Sequence, residues 1–344
     1  MKQLFERFVP SHVNHPFKLV GHMLKSGKRS ALFTLWITAL GILLTPVDYL
    51  FHFIERHYKK HSGAASGEKA GPFIFICGPA RSGTTLVYQV LAQHLDVAYI
   101  RNFTTLFSRS PLLASSLFTR RRNTHKAITL ENYYGKTAGL QGPSEANHLW
   151  NQWVDADSSG FRTQLHGGNA QTMADFFQQF SQSHKKPVLS KNNNANAFAD
   201  VIAENLNNSY FICLRRDTDF LAQSLIRARL EINGDIRQSY GVVDTSVDAD
   251  TTSDPVDEVL QQISYLNQLA EKQQQKLGHE RFWIIDYEDF CANPGTLIDR
   301  VEAEILHRPA PPTRQRNVDR IAHNNLEKDA ALLQRIRQAQ KDSA

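Results

Sequence analysis

A three-layer α/β fold around a mainly parallel sheet is predicted by two features of this sequence. Short apolar runs of strand length recur between stretches of helical length, and a glycine-bearing loop joins the first run directly to a helix. The runs are Phe73–Cys77, Val188–Ser190, Tyr210–Leu214 and Phe282–Ile285. Near-continuous apolar runs of this length suit strands buried on both faces, as in a parallel sheet covered by helices. At 344 residues the chain is long enough to bury a sizeable core without staples. Its 41% hydrophobic and 21% charged residues exclude wholesale disorder and collagen-like structure. Three cysteines cannot form a disulfide framework. Cys77 and Cys213 sit inside apolar runs as ordinary core filling, Cys291 is isolated, and no Cys/His zinc spacing occurs, so a reducing compartment is expected.

Three parts follow in order: an N-terminal basic and apolar segment over residues 1–62, a catalytic body over 71–306, and a polar tail over 307–344. Within residues 1–30 of the first, Lys2, Arg7, Lys18, Lys25, Lys28 and Arg29 stand against the single acid Glu6. The stretch from Ser30 to Val47 has no charge, and its 18 residues would rise about 27 Å as a helix, just short of a ~30 Å hydrocarbon core. Pro46 interrupts it, an apolar stretch resumes at Tyr49–Ile54, and Arg56, Lys59 and Lys60 follow. Basic residues flank both ends, whereas a single span usually has one richer side. A secretory signal fits poorly, because about thirty residues precede the apolar core and no small-residue cleavage site follows it. Three readings stay open: a hairpin dipping into the cytoplasmic leaflet and broken at Pro46, a true span, or a helix packed on the protein's own surface. Contact of residues 25–60 with the inner face of a membrane is the expectation, and a cytoplasmic location with it. Gly63–Gly67 reads as a short flexible link. The formal charge of +5 is compatible with nucleic acid, an anionic membrane surface or a phosphorylated cofactor and chooses none of them, and no nucleic-acid partner is expected.

The body opens with the strand Phe73–Cys77, the loop Gly78-Pro-Ala-Arg-Ser-Gly-Thr-Thr85 and a helix from Leu86 to His94. Strand, glycine-containing loop and helix make a phosphate cradle, in which loop N–H groups and the helix dipole converge on an anion. The Gly78…Gly83 spacing equals that of a nucleoside-triphosphate P-loop, but Thr84 stands where the lysine belongs and Arg81 is the loop's cation. A kinase needs that lysine and a magnesium-binding acid on a later strand. Asp286 comes closest to such an acid, but it leads into Tyr287-Glu-Asp.

Pro79-Ala-Arg-Ser-Gly-Thr-Thr-Leu86 resembles the 5′-phosphosulfate loop of sulfotransferases that use 3′-phosphoadenosine 5′-phosphosulfate (PAPS). A second segment is similar to the family's 3′-phosphate motif, a strand ending in arginine with serine eight residues on; here Tyr210–Leu214 leads to Arg216 and Ser224. The family's usual Arg-Asp-Pro is Arg216-Asp-Thr218 here, and Arg215 is a rival for the phosphate. A third segment, Phe282–Phe290 with Asn293-Pro294, resembles the family's late strand. There Tyr287 and Glu288 read as structural, with Tyr287 allowed near the adenosine. The resemblance covers Gly71–Leu306. It implies a P-loop-like fold, PAPS as co-substrate without a metal, and donor contacts from Arg81, Ser82, Gly83, Thr84, Thr85, Arg216 and Ser224. The family's Arg-Lys-Gly loop near the C-terminus has no match, although Arg314 and Arg316 could substitute.

In-line sulfuryl transfer needs a base for the acceptor's proton and a cation for the leaving oxygen. Arg81 is the cation. Pro143-Ser-Glu145 resembles the glutamate base of bacterial and tyrosyl-protein members, and His148 the histidine of cytosolic ones. Three residues apart on a helix the two would share a face, and Glu145 also reads as an acid stabilising a helix start. Lys191, ending Pro187–Lys191, resembles a family lysine facing the phosphosulfate, with a solvated loop lysine as the other reading. The acceptor, a hydroxyl more than an amine, is expected to meet a helical insertion over residues 101–186 through Tyr133, Tyr134, Trp150, Trp153 and Phe161. Asn233–Pro255 reads as a mobile loop or lid. The competing functions are a kinase-like phosphotransferase with a degenerate loop and a catalytically silent, membrane-tethered nucleotide-binding protein.

Overall fold

The computed structural model describes residues 16–61, 71–121, 128, 130–246, 254–308, 321–323, 325 and 327–342. Helices α1 (Pro16–Ser26), α2 (Arg29–Leu43) and α3 (Thr45–His61) precede the body. The central sheet has five strands, β1 (Phe73–Cys77), β2 (Ala98–Tyr99), β3 (Val188–Lys191), β4 (Ser209–Arg215) and β5 (Phe282–Asp286). All four pairings are parallel and the order is β2-β3-β1-β4-β5. The four expected strands are present. The fifth, β2, is two residues long at the sheet's edge and too short for a periodic signal.

Helices cover both faces. They are α4 (Thr84–His94), α5 (Pro111–Arg121), α6 (Asn147–Trp153), α7 (Gly167–His184), α8 (Ala199–Asn205), α9 (Thr218–Ala228), α10 (Pro255–Leu277), α11 (Tyr287–Ala292), α12 (Pro294–Arg300) and α13 (Ala330–Asp342). Alternation along β1 divides the core. Phe73, Phe75 and Cys77 join α6, α7 and α8 on one face, and Ile74 and Ile76 join α4, α11 and α12 on the other. On the first face Phe75 stacks on Phe211 at 5.6 Å and Phe211 on Phe282 at 5.8 Å, an aromatic ladder across β1, β4 and β5.

The insertion is less helical than expected. Besides α5, α6 and α7 it holds two antiparallel hairpins, Asn132–Thr137 and Val154–Leu165. The first turns through Tyr134 (φ 46°) and Gly135 (φ 83°), the two left-handed residues that a tight hairpin matching the strand twist requires. Within Asn233–Pro255 the described part is pinned rather than loose. Gln262 of α10 donates to the Tyr240 and Val242 carbonyls, and buried Arg229 donates to the Ile236 carbonyl. Its polar composition concealed these anchors.

The N-terminal chain breaks between Leu43 and Thr45, with Pro46 in the first turn of α3, and bends by 68° there. Among the described residues no single helix is long and apolar enough to cross a membrane, though the bent pair together meets that length and composition. Polar pins dock the pair on the body. Asp48 accepts from Arg109 N and Ser110 Oγ, Glu55 from Leu113 N, and Glu131 from Ser30 N and Oγ. The reading of a helix packed on the protein's own surface describes this inner side. Gly63–Gly67, Arg314 and Arg316 lie outside the described residues.

Candidate active site

The loop after β1 is shaped by contacts that leave no room for side chains. Gly78 has φ 126°, and a Cβ there would lie 2.6 Å from the Leu214 carbonyl oxygen on β4. Gly83, at φ 95°, lies against Tyr287, whose ring a Cβ would meet at 2.3 Å. Between them Arg81 is itself left-handed, at φ 72°, a conformation that a non-glycine residue holds only when its surroundings enforce it. Two contacts do so: Arg216 Nη1 donates to the Arg81 carbonyl at 2.8 Å, and Arg81 Nε donates to Ser224 Oγ at 3.2 Å. No side chain caps α4; Leu86 N donates to the Gly83 carbonyl at 2.9 Å, and the Thr84 and Thr85 N–H groups are left to the cavity in front of the loop.

That cavity, about 440 Å³, lies at the C-terminal edge of the sheet, where strand order switches around β1. Arg81, Gly83, Thr84 and Thr85 form one wall, and Lys191 and Glu145 another. Lys191 ends β3 beside Ile76 of β1 and is 2% exposed; its Nζ pairs with Glu145 Oε1 at 3.0 Å. The solvated-loop reading of Lys191 therefore fails. Glu145 precedes α6, separated from it by Ala146 in a left-handed conformation (φ 51°). It is no first-turn acid, and it shares no helix face with His148. His148 lines a smaller cavity of about 80 Å³ behind Glu145, against Thr34 and Ile37 of α2.

Arg215 and Arg216 separate cleanly. Arg215 turns outward, 47% exposed, in a two-point pair with Asp286. Arg216 is 7% exposed and turns inward, its guanidinium 5.1 Å from the centre of the Tyr287 ring and its Nε donating to Asn325 Oδ1 at 2.9 Å. Burial pulls its pKa down, with the nearby Arg81 charge adding to the fall and Tyr287 and Glu288 opposing it. Asp217, in the place where the usual family proline does not follow, caps α9 by accepting from Asp219 N and Phe220 N.

Three expectations need correction. Ser82 is fully buried, absent from the cavity wall, and its Oγ has no hydrogen-bond partner among the described residues. Trp153 packs into the core against Phe176 and Phe177. Tyr133 lies with Met23 and Ala31 under α1 and α2. Tyr134, Trp150 and Phe161 do line the main cavity, and Arg81 lies 4.6 Å over the Tyr134 ring. Tyr134 donates to Glu231; burial and this bond push its pKa well up.

Two wall residues escaped the sequence. Lys136 follows the tight turn and faces the Glu145–Lys191 pair. Burial lowers its pKa, the Glu145 charge raises it and the Lys191 charge lowers it. The Tyr-Gly-Lys turn was its one local signal. Asn193 accepts from Thr84 Oγ1 at 2.9 Å and, through its carbonyl, from Gly78 N at 3.2 Å. Nothing in its asparagine-rich surroundings marks it. Among the described residues, no group of three His, Cys, Asp or Glu side chains is arranged for a metal.

A model of the sulfotransferase family matches residues 72–305. The chain belongs to that family. Sulfotransferase structures similar to it include STF9 from Mycobacterium avium (15% identity, 84% of this chain and 81% of that one, TM-score 0.48). STF1 from Mycobacterium tuberculosis H37Rv is similar at 14% identity over 98% and 88% of the chains, TM-score 0.45. The sulfotransferase domain from the curacin biosynthetic pathway is similar at 14% over 78% and 83%, TM-score 0.41. No curated protein matches the chain. This sulfotransferase carries its family's domain between two flanks, residues before 72 and after 305, that the family match does not include.

Proposed function

We propose that this sulfotransferase moves a sulfuryl group from PAPS to a hydroxyl acceptor at the cytoplasmic face of a membrane. The observation that carries the reading is the meeting, around one cavity, of the uncapped loop–helix junction with the buried Lys191–Glu145 pair. The residues suit the donor. The N–H groups of Thr84 and Thr85 and the Thr85 hydroxyl offer hydrogen bonds to phosphate and sulfate oxygens, and Arg81 and Lys191 offer charge.

The donor supplies a sulfur already bonded to a good leaving group. The acceptor oxygen forms the new S–O bond as the S–O bond to the 5′-phosphate breaks, the electron pair staying on the phosphate oxygen. Arg81 neutralises that oxygen, and the acceptor's proton passes to the Glu145 carboxylate. Lys191 holds Glu145 in position and adds charge beside the sulfuryl oxygens. Tyr134, Trp150 and Phe161 are suited to flank the acceptor.

The test is incubation of the purified protein with radiolabelled PAPS and total lipid, glycan and metabolite extracts, with identification of the labelled product. Label transfer is expected to persist within about twofold in EDTA, since fixed donors stabilise the transferring charge without a divalent ion. It is expected to be lost in Arg81→Ala. ATP with magnesium is expected to yield no phosphorylated product; phosphate transfer from ATP would favour the kinase-like reading instead.

A further inference from the structure

A second large cavity, about 530 Å³, has Arg81 and Tyr134 on its wall in common with the main one. The family domain supplies Arg81, Arg216, Ser224 and Arg227 to it. The flanks supply Lys25 and Lys28, from α1 and the turn after it, and Lys328, which precedes α13. Six cationic side chains thus face one carboxylate, Glu231, which already accepts from Tyr134 and Arg227. Among the described residues no carboxylate pairs with Lys25, Lys28 or Lys328. Gathering like charges this way opposes folding of the free protein and favours a polyanionic ligand. Burial lowers the Lys328 pKa, the Arg227 and Arg81 charges lower it further, Glu231 raises it, and even Lys28, 300 residues away in sequence, lowers it.

Both flanks are held where their lysines meet this cavity. Met23 of α1 packs with Ala31 and Tyr133, and the Lys28 ammonium lies 5.9 Å from the Tyr133 ring centre. Lys328 N donates to Gln223 Oε1 of α9 at 2.8 Å, and Ile336 of α13 is buried against α9 and α10.

The two cavities share Arg81, Tyr134 and Arg216. Only the main one has Thr84, Thr85 and Lys191 on its wall, and only the second has Ser224 and the three flank lysines. Two anion receptacles joined by two arginines suit the two phosphate ends of one nucleotide. We propose that Lys25, Lys28 and Lys328 close over the ribose 3′-phosphate of the donor, so that the flanks outside the family domain select bisphosphorylated nucleotides. This rests on the donor assignment made above.

Calorimetric titration of the full-length protein with adenosine 3′,5′-bisphosphate and with adenosine 5′-monophosphate tests it. The triple variant Lys25→Ala/Lys28→Ala/Lys328→Ala is expected to bind the bisphosphate about tenfold more weakly and the monophosphate within about twofold, as three partly exposed charge contacts imply. The corresponding triple arginine variant is expected to regain most of the loss. The unliganded alanine variant is expected to melt no lower than the parent, because mutual repulsion has been removed. Unchanged bisphosphate binding, or an equal loss for both nucleotides, would overturn the inference. So would a variant that loses only its binding to vesicles of phosphatidylglycerol and phosphatidylcholine, since the lysines would then serve lipid phosphates. A parent protein that binds neither nucleotide would instead remove the donor assignment, and this inference with it.

Discussion

An ammonium and a carboxylate 3.0 Å apart, with the ammonium almost wholly buried, bind each other's fate in stability and in chemistry. Removing one partner of such a pair strands the other charge, at a cost of about 3–5 kcal/mol, whereas removing both is close to neutral. Glu145→Ala is therefore expected to lower stability by that order in chemical denaturation, and Glu145→Ala/Lys191→Met to recover most of it. Glu145→Gln keeps the shape and a hydrogen bond but cannot take a proton. Its transfer rate is expected to fall about 10²–10⁴-fold, the usual worth of a general base, with adenosine 3′,5′-bisphosphate binding nearly unchanged. Equal losses in rate and nucleotide binding would mean that Glu145 holds the donor. At this scale the sequence was readable where punctuation fixes a residue's place. Arg81 stands between Gly78 and Gly83, and Lys191 ends an apolar run. It was unreadable where function depends on distant backbone, as with Asn193 under Thr84, or on whether a loop side chain reaches the cavity wall, as buried Ser82 does not.

The strand–loop–helix element depends on Gly83 twice, for its left-handed φ and for the approach of Tyr287. Gly83→Ala is expected to cost about 1–3 kcal/mol in thermal or chemical unfolding and to weaken nucleotide binding, because Tyr287, which also underlies Arg216, must shift. Normal stability and binding would mean that the loop relaxes freely. Helix α7 carries a second dependence. Burial lowers the pKa of His184, the Arg101 and Lys186 charges adding to this and a bond to the Phe180 carbonyl opposing it; its Nε2 meets Ser115 Oγ of α5 at 3.0 Å. A histidine whose pKa falls on folding binds its proton more readily in the unfolded chain. Its contribution to stability is thus present above the unfolded value, near 6.5, and fades as pH drops toward the lower folded value. His184→Gln is expected to flatten the stability profile on the acid side of 6.5, as followed by denaturation between about pH 5 and 7. Strands β1, β3, β4 and β5 were legible because burial on both faces demands continuous apolar runs. The hairpins of the insertion were not, because their two- to four-residue strands carry no periodicity and only the Tyr134-Gly135 turn betrays the first.

At the scale of the whole molecule, the N-terminal helices have an inner side tied to the body by carboxylates and an outer side that is apolar. Leu32, Trp36, Ile42, Leu43, Val47, Tyr49, Leu50 and Phe53 are all exposed, Leu43 at 74% and Phe53 at 62%. Arg29 and Arg56 lie in the same helices. An apolar strip with basic residues at its ends matches the boundary between acyl chains and anionic headgroups. Crossing the bilayer would require this pair to leave the body and bare Asp48 and Glu55, whose partners include Arg109 N, Ser110 Oγ and Leu113 N. An ionised carboxylate taken into hydrocarbon without its donors is costly, so lying on the membrane is favoured over spanning it. The full-length protein is accordingly expected to sediment with vesicles containing phosphatidylglycerol and to be released by alkaline carbonate. Leu50→Glu/Phe53→Glu is expected to abolish sedimentation while leaving nucleotide binding intact, since each side chain forfeits up to roughly 1.5–3 kcal/mol of apolar transfer and adds a charge that anionic lipid repels. Retention in the pellet through carbonate treatment would mean that the bent pair inserts. Solubility of the parent protein in the presence of such vesicles would mean that the apolar strip serves some other contact.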